Sequence, residues 1–527
     1  MCFLIFIPKV IFYIIISKII IKRIKINHNL ILVGLSLVFV VICACYPAYY
    51  KSPIFTYKGI WIGFLESFSI IQAIKKVAFE PFLNHIFFFH ISLLIILIIE
   101  HSYNNALDIE PIITFKKKTR VKKLSDKNNQ TVIGYKHHKE ISTSDNAKHI
   151  FVCGTTGSGK TVLLSNYIES AIKKNYPMLI VDGKGDTGEG SILEIVKNMR
   201  GNRKLYIVNM SDILSSYPYN PFKNATATIV KDMLINLTEW SEEHYKSNTE
   251  RYIQRLVHLL ELNKQELSFE TLLEFFTPDR LIELSSELVK KELITKQEHS
   301  NTLEIIKASG NIAVNASARF TTIAESDIGK IFTKSGIDIY SALSKNAIIL
   351  FVLNPLIYPE TTAIMGRLAV IDAKKAVSKL YTERKERVFF IFDEINTYAS
   401  PVLIDLFNKS RSANVTCVAA TQSLSDLDFA CGEAFREQVI ENCNNYIVLR
   451  QNSAKNAEEW AKIFGTVEGL SVTYQLGDDK PTGRGSARKE RRFIYHPDEI
   501  KRLKTGEAIY MSKDTDEQAE IKVRKGF

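Results

Sequence analysis

Three features of this chain predict an α/β fold that carries an inserted all-helical domain and follows a membrane anchor. Short apolar runs alternate with helical patterns after residue 102, which is typical of a parallel sheet covered by helices. The alternation stops between residues 223 and 335, where helical periodicity continues without interruption. Long apolar runs also lie near the amino terminus, and runs of this length can cross a bilayer.

Residues 1–101 are predicted to form the transmembrane anchor. Spans are expected at about 30–47 and 82–99, and the apolar stretch at 3–21 is a further candidate although it contains two lysines. A basic cluster at 22–25 precedes the first of these two spans, and the positive-inside rule places such a cluster in the cytoplasm. We therefore expect a multi-pass membrane protein whose remaining residues are cytoplasmic.

The sequence GTTGSGKT at residues 154–161 carries the clearest chemical signal. It fits the pattern G-x-x-x-x-G-K-[ST] and lies between an apolar run and a helical pattern, as a phosphate-binding loop requires. Glycines in such a loop let the backbone N–H groups and the helix N-terminus face phosphates. The pattern predicts a P-loop for ATP, formed by Gly154, Thr155, Thr156, Gly157, Ser158, Gly159, Lys160 and Thr161.

The carboxylates that complete a nucleotide site are predicted much further along the chain. Five apolar residues from Val388 are followed by Asp393 and Glu394, which reads as a central strand that ends at the nucleotide-binding edge of a parallel sheet. We expect Lys160 to reach the β- and γ-phosphates, and Thr161 and Asp393 to hold Mg²⁺. Glu394 would orient the attacking water. Without the P-loop, the apolar run and the two acidic residues could be a buried strand followed by an acidic turn.

The soluble part is predicted to be one nucleotide-binding domain that is split by the helical insertion. The first part covers residues 102–222, the all-α domain 223–335 and the second part 336–527. Further apolar runs predict strands at 178–182, 205–209, 347–353, 416–420 and 445–449.

The net charge and the cysteine content limit which class of partner the protein binds and in which cellular compartment its soluble part lies. The formal net charge is +11 and the isoelectric point about 9.0, which favours a polyanionic partner or an anionic membrane surface. Basic runs lie at 116–123 and 484–492; the second is expected to be a loop that follows a phosphate backbone, and either could be a solvated face. The seven cysteines form no CxxC pair, which predicts a reduced, cytosolic soluble part without a cysteine metal site.

The order of these elements resembles the TraG/TraD family of type IV secretion coupling proteins. The resemblance also rests on the turn at 182–186, on Tyr-Asn-Pro at 219–221, on the strand end at 420–423 and on the string from 497 to 508. One departure is Gly183, which stands where the family has proline and is expected to loosen that turn.

The resemblance implies a RecA-like P-loop NTPase that assembles as a homohexamer under the inner membrane. Such a protein passes DNA with its relaxase, or an effector protein, to the components of a type IV secretion channel, and it binds the DNA without sequence preference. The resemblance further implies that ATP lies at subunit boundaries. Arg411, eleven residues before Gln422, is then the arginine supplied to the neighbouring site, with Arg450 as its rival, and Gln422 senses the γ-phosphate.

Three other classes of protein share parts of this pattern. An FtsK/HerA-type DNA translocase has a similar ring ATPase but usually carries a winged-helix reader, for which the residues after Tyr510 are expected to leave no room. An ABC-type ATPase needs an LSGGQ-like signature, which the sequence lacks. A non-hydrolysing membrane substrate receptor would not need Lys160, Asp393 and Glu394, all of which are present.

Overall fold

The computed structural model describes residues 129–526 apart from 147, 238–239, 384–386 and 478–479, and for residues 471–487 it describes the backbone only. The predicted spans at 30–47 and 82–99, the stretch at 3–21 and the basic run at 116–123 lie outside the described residues. Among the residues that are described, no helix has both the length and the apolar character needed to cross a membrane.

The strands of the described residues form two sheets. Eleven of them form one sheet in the order β2-β1-β13-β12-β9-β3-β8-β7-β4-β6-β5, and β10 pairs only with β11. Their bounds are β1 Gln130–Lys136, β2 Lys139–Ser144, β3 Ile150–Cys153, β4 Met178–Asp182, β5 Leu205–Asn209, β6 Ile348–Val352, β7 Val388–Asp393, β8 Val415–Thr421, β9 Asn445–Leu449, β10 Thr466–Gly477, β11 Lys480–Phe493, β12 Glu507–Ser512 and β13 Glu517–Val523.

The seven strands from β9 to β5 are parallel, as the apolar runs predict. Every residue of β3, β4, β6, β7, β8 and β9 is buried, because helices cover both faces of this part of the sheet. Two apolar cores result, one on each face: Phe151 and Phe390 point into the first, and Val152 and Ile391 into the second. The carboxyl ends of all seven strands therefore meet at one edge.

The prediction of a parallel sheet covered by helices was incomplete. Four antiparallel strands, β12, β13, β1 and β2, extend the sheet beyond β9. Of these, β13 differs from the central strands because it alternates buried and exposed residues along Ala519–Val523, whereas β12 is buried after its first residue. Strands with one solvated face carry no continuous apolar run. The pairings that join these strands to the sheet, β9 with β12 and β13 with β1, are between segments distant in sequence.

The helices are α1 Lys160–Lys173, α2 Ile192–Met199, α3 Ala227–Ile235, α4 Glu243–Leu262, α5 Phe269–Glu274, α6 Pro278–Lys290, α7 Lys296–Glu325, α8 Ile339–Leu343, α9 Pro359–Glu383, α10 Pro401–Ser410, α11 Leu424–Cys431, α12 Glu433–Asn442, α13 Ala454–Phe464 and α14 Pro497–Arg502. Helices α3 to α7 follow one another without a strand and share a core that includes Leu256, Phe276 and Phe320. The longest of them, α7, begins with a capping box in which Thr295 and Glu298 satisfy each other's backbone N–H groups.

The segments that lead into and out of this helical region lie next to each other. Tyr219 forms isolated parallel bridges with Phe332 and Ile337, and a Cβ at Gly336 would lie 2.4 Å from the Tyr219 carbonyl carbon. The buried Lys375 ammonium of α9 donates to the backbone oxygen of Pro221 at 2.9 Å. The Tyr-Asn-Pro segment is thus a fixed junction between the two parts of the chain.

The basic run at 484–492 is not a loop, which corrects the sequence-based expectation. It lies within β11, the second strand of the β10–β11 hairpin. The residues Arg488, Lys489 and Arg491 are exposed. The strand was hard to predict because it has no apolar face, and its pairing with β10 is what defines it.

Candidate functional site

The P-loop leaves β3 and is held on both sides by backbone hydrogen bonds. The Gly154 N–H donates to the Thr421 carbonyl and the Thr155 N–H to the Arg450 carbonyl, both at 3.2 Å. Glycine is required at both ends of the loop. A Cβ at Gly154 would lie 2.8 Å from the Leu449 Cβ, and Gly159 has a φ of 108°, which side-chain-bearing residues rarely adopt.

The two predicted carboxylates lie directly opposite the P-loop lysine. The Lys160 Nζ is 2.5 Å from Glu394 Oε1 and 3.7 Å from Asp393 Oδ1. All three residues are buried. Glu394 has a φ of 48°, a left-handed conformation that turns the chain sharply at the end of β7. Strain of this kind, in a residue that is not glycine, is common at functional sites.

Gln422 joins the P-loop to the carboxylates. Its Nε2 donates to Glu394 Oε1 at 3.0 Å, and its Oε1 accepts from the Thr156 hydroxyl at 3.0 Å. The side chains that follow β3, β7 and β8 therefore form one continuous hydrogen-bonded network. The structure thus brings together the predicted residues Lys160, Asp393, Glu394 and Gln422.

A third carboxyl, from Asp182, lies beside Asp393 because β4 and β7 are neighbours in register. Burial raises the pKa of Asp393 to about 6; the Lys160 charge opposes this rise, and the Glu394 charge adds to it. Burial, and next the charge of Asp393, raise the pKa of Asp182 to about 7. The site therefore holds more negative charge than one lysine can neutralise.

The donor set fits a nucleotide phosphate with Mg²⁺. Glu394 Oε2 and Asp182 Oδ2 are buried without a hydrogen-bond partner among the described residues. A cation would satisfy such oxygens, while a phosphate would take over the charge of Lys160. Among the described residues no cluster of three His, Cys, Asp or Glu could hold a metal alone. This suits Mg²⁺, which in such sites is bound by one or two carboxylates together with substrate phosphates.

The two candidate arginines lie in very different places. Arg411 is exposed at the amino-terminal end of β8, close enough to influence the pKa of His149, whereas Gln422 follows the other end of that strand. The strand separates them by about 20 Å, so Arg411 cannot reach the P-loop of its own chain. Arg450 lies at that P-loop, where its carbonyl accepts from both the Thr155 N–H and the Thr155 hydroxyl.

Gly183 does not loosen its turn, contrary to the expectation from the sequence. Its N–H donates to the Asp393 carbonyl at 3.1 Å, and a Cβ there would lie 2.8 Å from that oxygen and 2.9 Å from the Glu394 carbonyl oxygen. Proline could not make this hydrogen bond. Glycine instead allows the turn after β4 to approach Asp393 and Glu394 closely.

The segment before β12 also supports the P-loop, and sequence reasoning did not assign it this role. The Gly506 N–H donates to the Ser158 carbonyl at 2.9 Å, and the Thr505 hydroxyl donates to the Gly157 carbonyl at 3.1 Å. With these carbonyls engaged on one side, the loop N–H groups remain available for a phosphate. The only sequence signal was that Gly506 belongs to the string at 497–508, which has no chemistry of its own.

Two family models match parts of this chain. The model of the HerA helicase central domain matches residues 142–352, and the model described as the TraM recognition site of TraD and TraG matches residues 387–505. The first covers the P-loop and the helical region, and the second covers Asp393, Glu394, Gln422 and the hairpin.

Two curated proteins align with shorter stretches. An uncharacterized protein of Mycoplasma pneumoniae (strain ATCC 29342 / M129 / Subtype 1) is 28% identical over 101 residues, which cover 19% of this chain and 67% of that protein. The type 4 coupling protein DotL of Legionella pneumophila subsp. pneumophila is 24% identical over 186 residues, or 32% of this chain. This alignment spans only 23% of DotL.

Among solved structures, the bacterial conjugative coupling protein TrwB without its amino-terminal segment, in its unbound form, has a similar fold. The TM-score is 0.57 at 17% identity, over 76% of this chain and 90% of that chain. TrwB in complex with ADP and Mg²⁺ matches over the same shares with a TM-score of 0.55. These likenesses establish a RecA-like P-loop NTPase fold. The chain thus shares the fold of TrwB, and parts of it match a TraD/TraG family model and a coupling protein of Legionella.

Proposed function

We propose that this chain is a membrane-anchored ATPase that couples ATP hydrolysis to the delivery of DNA, as a relaxase–DNA complex, or of an effector protein into a type IV secretion channel. One observation carries the hydrolytic part: Glu394 accepts hydrogen bonds from both Lys160 and Gln422, and Gln422 is tied to the P-loop. The matches to coupling proteins support the transport part.

The chemistry follows from the charges that the site already holds. ATP with Mg²⁺ supplies the phosphoryl group and the positive charge that stabilises its transfer. Lys160 would exchange its ion pair with Glu394 for the β- and γ-phosphates, and Asp393 with Thr161 would hold Mg²⁺. Glu394, released from Lys160, orients the attacking water. Gln422 can report the γ-phosphate because it contacts Glu394 and Thr156 at once.

Assembly as a homohexameric ring would complete the site. Arg411 lies at the edge of the sheet opposite to its own P-loop, so it can act as an arginine finger only on a neighbouring subunit. Arg450, whose carbonyl accepts from the Thr155 N–H at the P-loop of its own chain, is the alternative.

The predicted spans at 30–47 and 82–99 support anchoring in the inner membrane, with residues 1–101 as a multi-pass anchor and the ATPase in the cytoplasm. The domain boundaries follow from the same pattern, with an all-α domain at 223–335 between the two parts of the nucleotide-binding domain. A cysteine at Ser52 should then react with an impermeant thiol reagent in whole cells, and one at Ser125 only after lysis.

The basic hairpin supports DNA as cargo. Lys489 and Arg491 lie on one face of β11 and Arg488 on the other, so both faces present charge to a phosphate backbone. Replacing all three residues with alanine should weaken single-stranded DNA binding and reduce the slope of log affinity against log salt by about two, at about 0.7 per lost phosphate contact. A variant with lysine at 488 and 491 keeps the charge and should retain the slope. An unchanged slope in the alanine variant would favour a protein cargo.

Two substitutions test the ATPase. Lys160→Ala should abolish nucleotide binding, because the charge facing the phosphates is lost. Glu394→Gln should bind ATP and reduce turnover about a hundredfold or more, since water activation alone is removed. Equilibrium binding of a fluorescent ATP analogue and phosphate release measure the two effects separately. Normal turnover in Glu394→Gln would contradict the assignment, and no turnover in the unmodified protein would favour the non-hydrolysing receptor.

The match to the HerA central domain favours one alternative, a HerA/FtsK-type translocase of duplex DNA. Such a protein would use the same ATPase residues but would not need a secretion channel. Crosslinking in cells that contain a type IV secretion system separates the two functions, because only a coupling protein should be recovered with channel components.

A further inference from the structure

A cavity of about 300 Å³ lies beside the segment that follows the catalytic strand β7, and no role has yet been assigned to it. It is large enough for a small ligand group. Apart from two alanines, it is lined by Arg367, Asn396, Thr397, Asp426 and Phe429.

Arg367 is the cationic group of this cavity. Its Nε is buried, and none of the described residues accepts a hydrogen bond from it. Its position is fixed, because a Cβ at the preceding Gly366 would lie 2.4 Å from the Tyr398 Cβ. Helix α9 therefore packs directly against the turn that follows Glu394. An unpartnered guanidinium on a rigid wall is suited to bind an oxyanion such as a phosphate.

Phe429 supplies an aromatic face. Its side chain is 96% exposed, although it lies on a helix whose Leu424 and Leu427 are buried. Asp426, one helical turn earlier, lines the same cavity. A carboxylate would repel a simple anion, but it can accept a hydrogen bond from the exocyclic amine of a base. An aromatic ring, an arginine, an amide and a carboxylate are together the groups that recognise one nucleotide of a single strand.

The cavity is connected to the ATP site by two hydrogen bonds. The Thr397 N–H donates to the Glu394 carbonyl at 2.9 Å. The Thr421 hydroxyl donates to Asn396 Oδ1 at 3.3 Å, and Thr421 directly precedes Gln422. A ligand that contacts Asn396 and Thr397 therefore acts within one hydrogen bond of the residues that orient the water and sense the γ-phosphate.

We propose that this cavity binds one nucleotide of single-stranded DNA, with the base on Phe429 and the phosphate on Arg367, and that its occupancy stimulates hydrolysis through Asn396 and Thr397. This inference rests on the proposed function as a DNA-transporting ATPase. It adds a DNA contact that is separate from the hairpin and lies next to the catalytic carboxylate.

The test uses the full-length protein in detergent and a fluorescent oligodeoxycytidylate, whose bases carry an exocyclic amine. Phe429→Ala should weaken binding about tenfold, the usual loss for one stacked base. Arg367→Gln should weaken it to a similar extent, and each variant should lose stimulation of ATP hydrolysis by the oligonucleotide. Matched controls are Tyr381→Ala, an exposed aromatic residue on the same helix as Arg367, and Lys307→Gln on α7. Both should behave like the unmodified protein.

Two results would overturn the inference. In the first, both variants bind the oligonucleotide with unchanged affinity while hydrolysis still depends on Glu394, which removes the cavity from DNA binding and leaves the ATPase intact. In the second, Phe429→Ala weakens self-association, measured by mass photometry, without changing affinity for DNA, which makes the cavity a contact between subunits. Failure of the proposed function has a different signature, namely no Glu394-dependent hydrolysis in the unmodified protein.

Discussion

The carboxyl and amino edges of the parallel sheet differ in whether a single chain brings functional residues together there. At the carboxyl edge, Glu394 already accepts hydrogen bonds from both Lys160 and Gln422. At the amino edge, Arg411 is exposed and has no nucleotide site within its reach. The comparison teaches that one chain can bind a nucleotide at one edge, while the residue proposed to complete catalysis would have to act on another copy.

The largest expected effect is the loss of turnover when Arg411 is replaced. It tests whether one ATP site combines the carboxyl edge of one subunit with the amino edge of its neighbour. Arg411→Ala should bind ATP normally and lose about a thousandfold or more in turnover, as arginine fingers do. Mixing it with Lys160→Ala protein should restore part of the activity, because an intact P-loop then meets an intact arginine at some interfaces. Phosphate release from mixed rings measures this, with Arg280→Ala as an exposed arginine control. No rescue in confirmed rings would contradict the assignment of Arg411.

A smaller effect is expected within the carboxyl edge. Gly183→Ala places a Cβ 2.8 Å from the Asp393 carbonyl oxygen, and backbone cannot yield as easily as a side chain. We expect a loss of about 1–3 kcal/mol in the free energy of unfolding and a lower turnover number, because Glu394 is displaced. In the control Gly188→Ala, the Cβ meets only Asp186 Oδ1 at 3.5 Å. Equal denaturation midpoints and equal turnover numbers for Gly183→Ala and Gly188→Ala would show that the backbone at Gly183 is not packed tightly against Asp393.

The smallest expected effect is a change in the pH dependence of stability, and it concerns His149 at the amino edge. Burial lowers the pKa of His149 to about 4, against an ordinary value of 6.5; the Phe407 carbonyl opposes this shift. The ring is neutral, since Nδ1 accepts from the Cys417 N–H and Nε2 donates to the Phe407 carbonyl. As pH falls from about 6.5 towards 4, the unfolded chain binds a proton that the folded chain excludes, so stability should decrease.

Urea denaturation at several pH values measures this decrease. His149→Gln should flatten the dependence in that window by the contribution of one proton. A dependence of unchanged slope would show that other groups cause it.

The sequence predicted those parts of the site that are local in the chain. The P-loop pattern and the apolar strand before Asp393 and Glu394 are short, and each carries its chemistry in adjacent residues. The position of Gln422 followed from the family resemblance and agrees with the polarity of β8.

What could not be predicted depends on residues far apart in sequence. The strands β12, β13, β1 and β2 are defined by pairing, and β11 has no apolar face to reveal it. The closeness of Gly183 to Asp393, and of Gly506 to Ser158, results from tertiary packing that no local pattern encodes.

The support of the P-loop by the segment before β12 has a consequence for biosynthesis. Gly157 and Thr505 are 348 positions apart, yet they share a hydrogen bond at the rim of the nucleotide site. On a ribosome the P-loop therefore emerges long before its support does, and a nascent or prematurely terminated chain that ends before residue 505 lacks it. The P-loop therefore acquires its full set of supporting hydrogen bonds only late in translation.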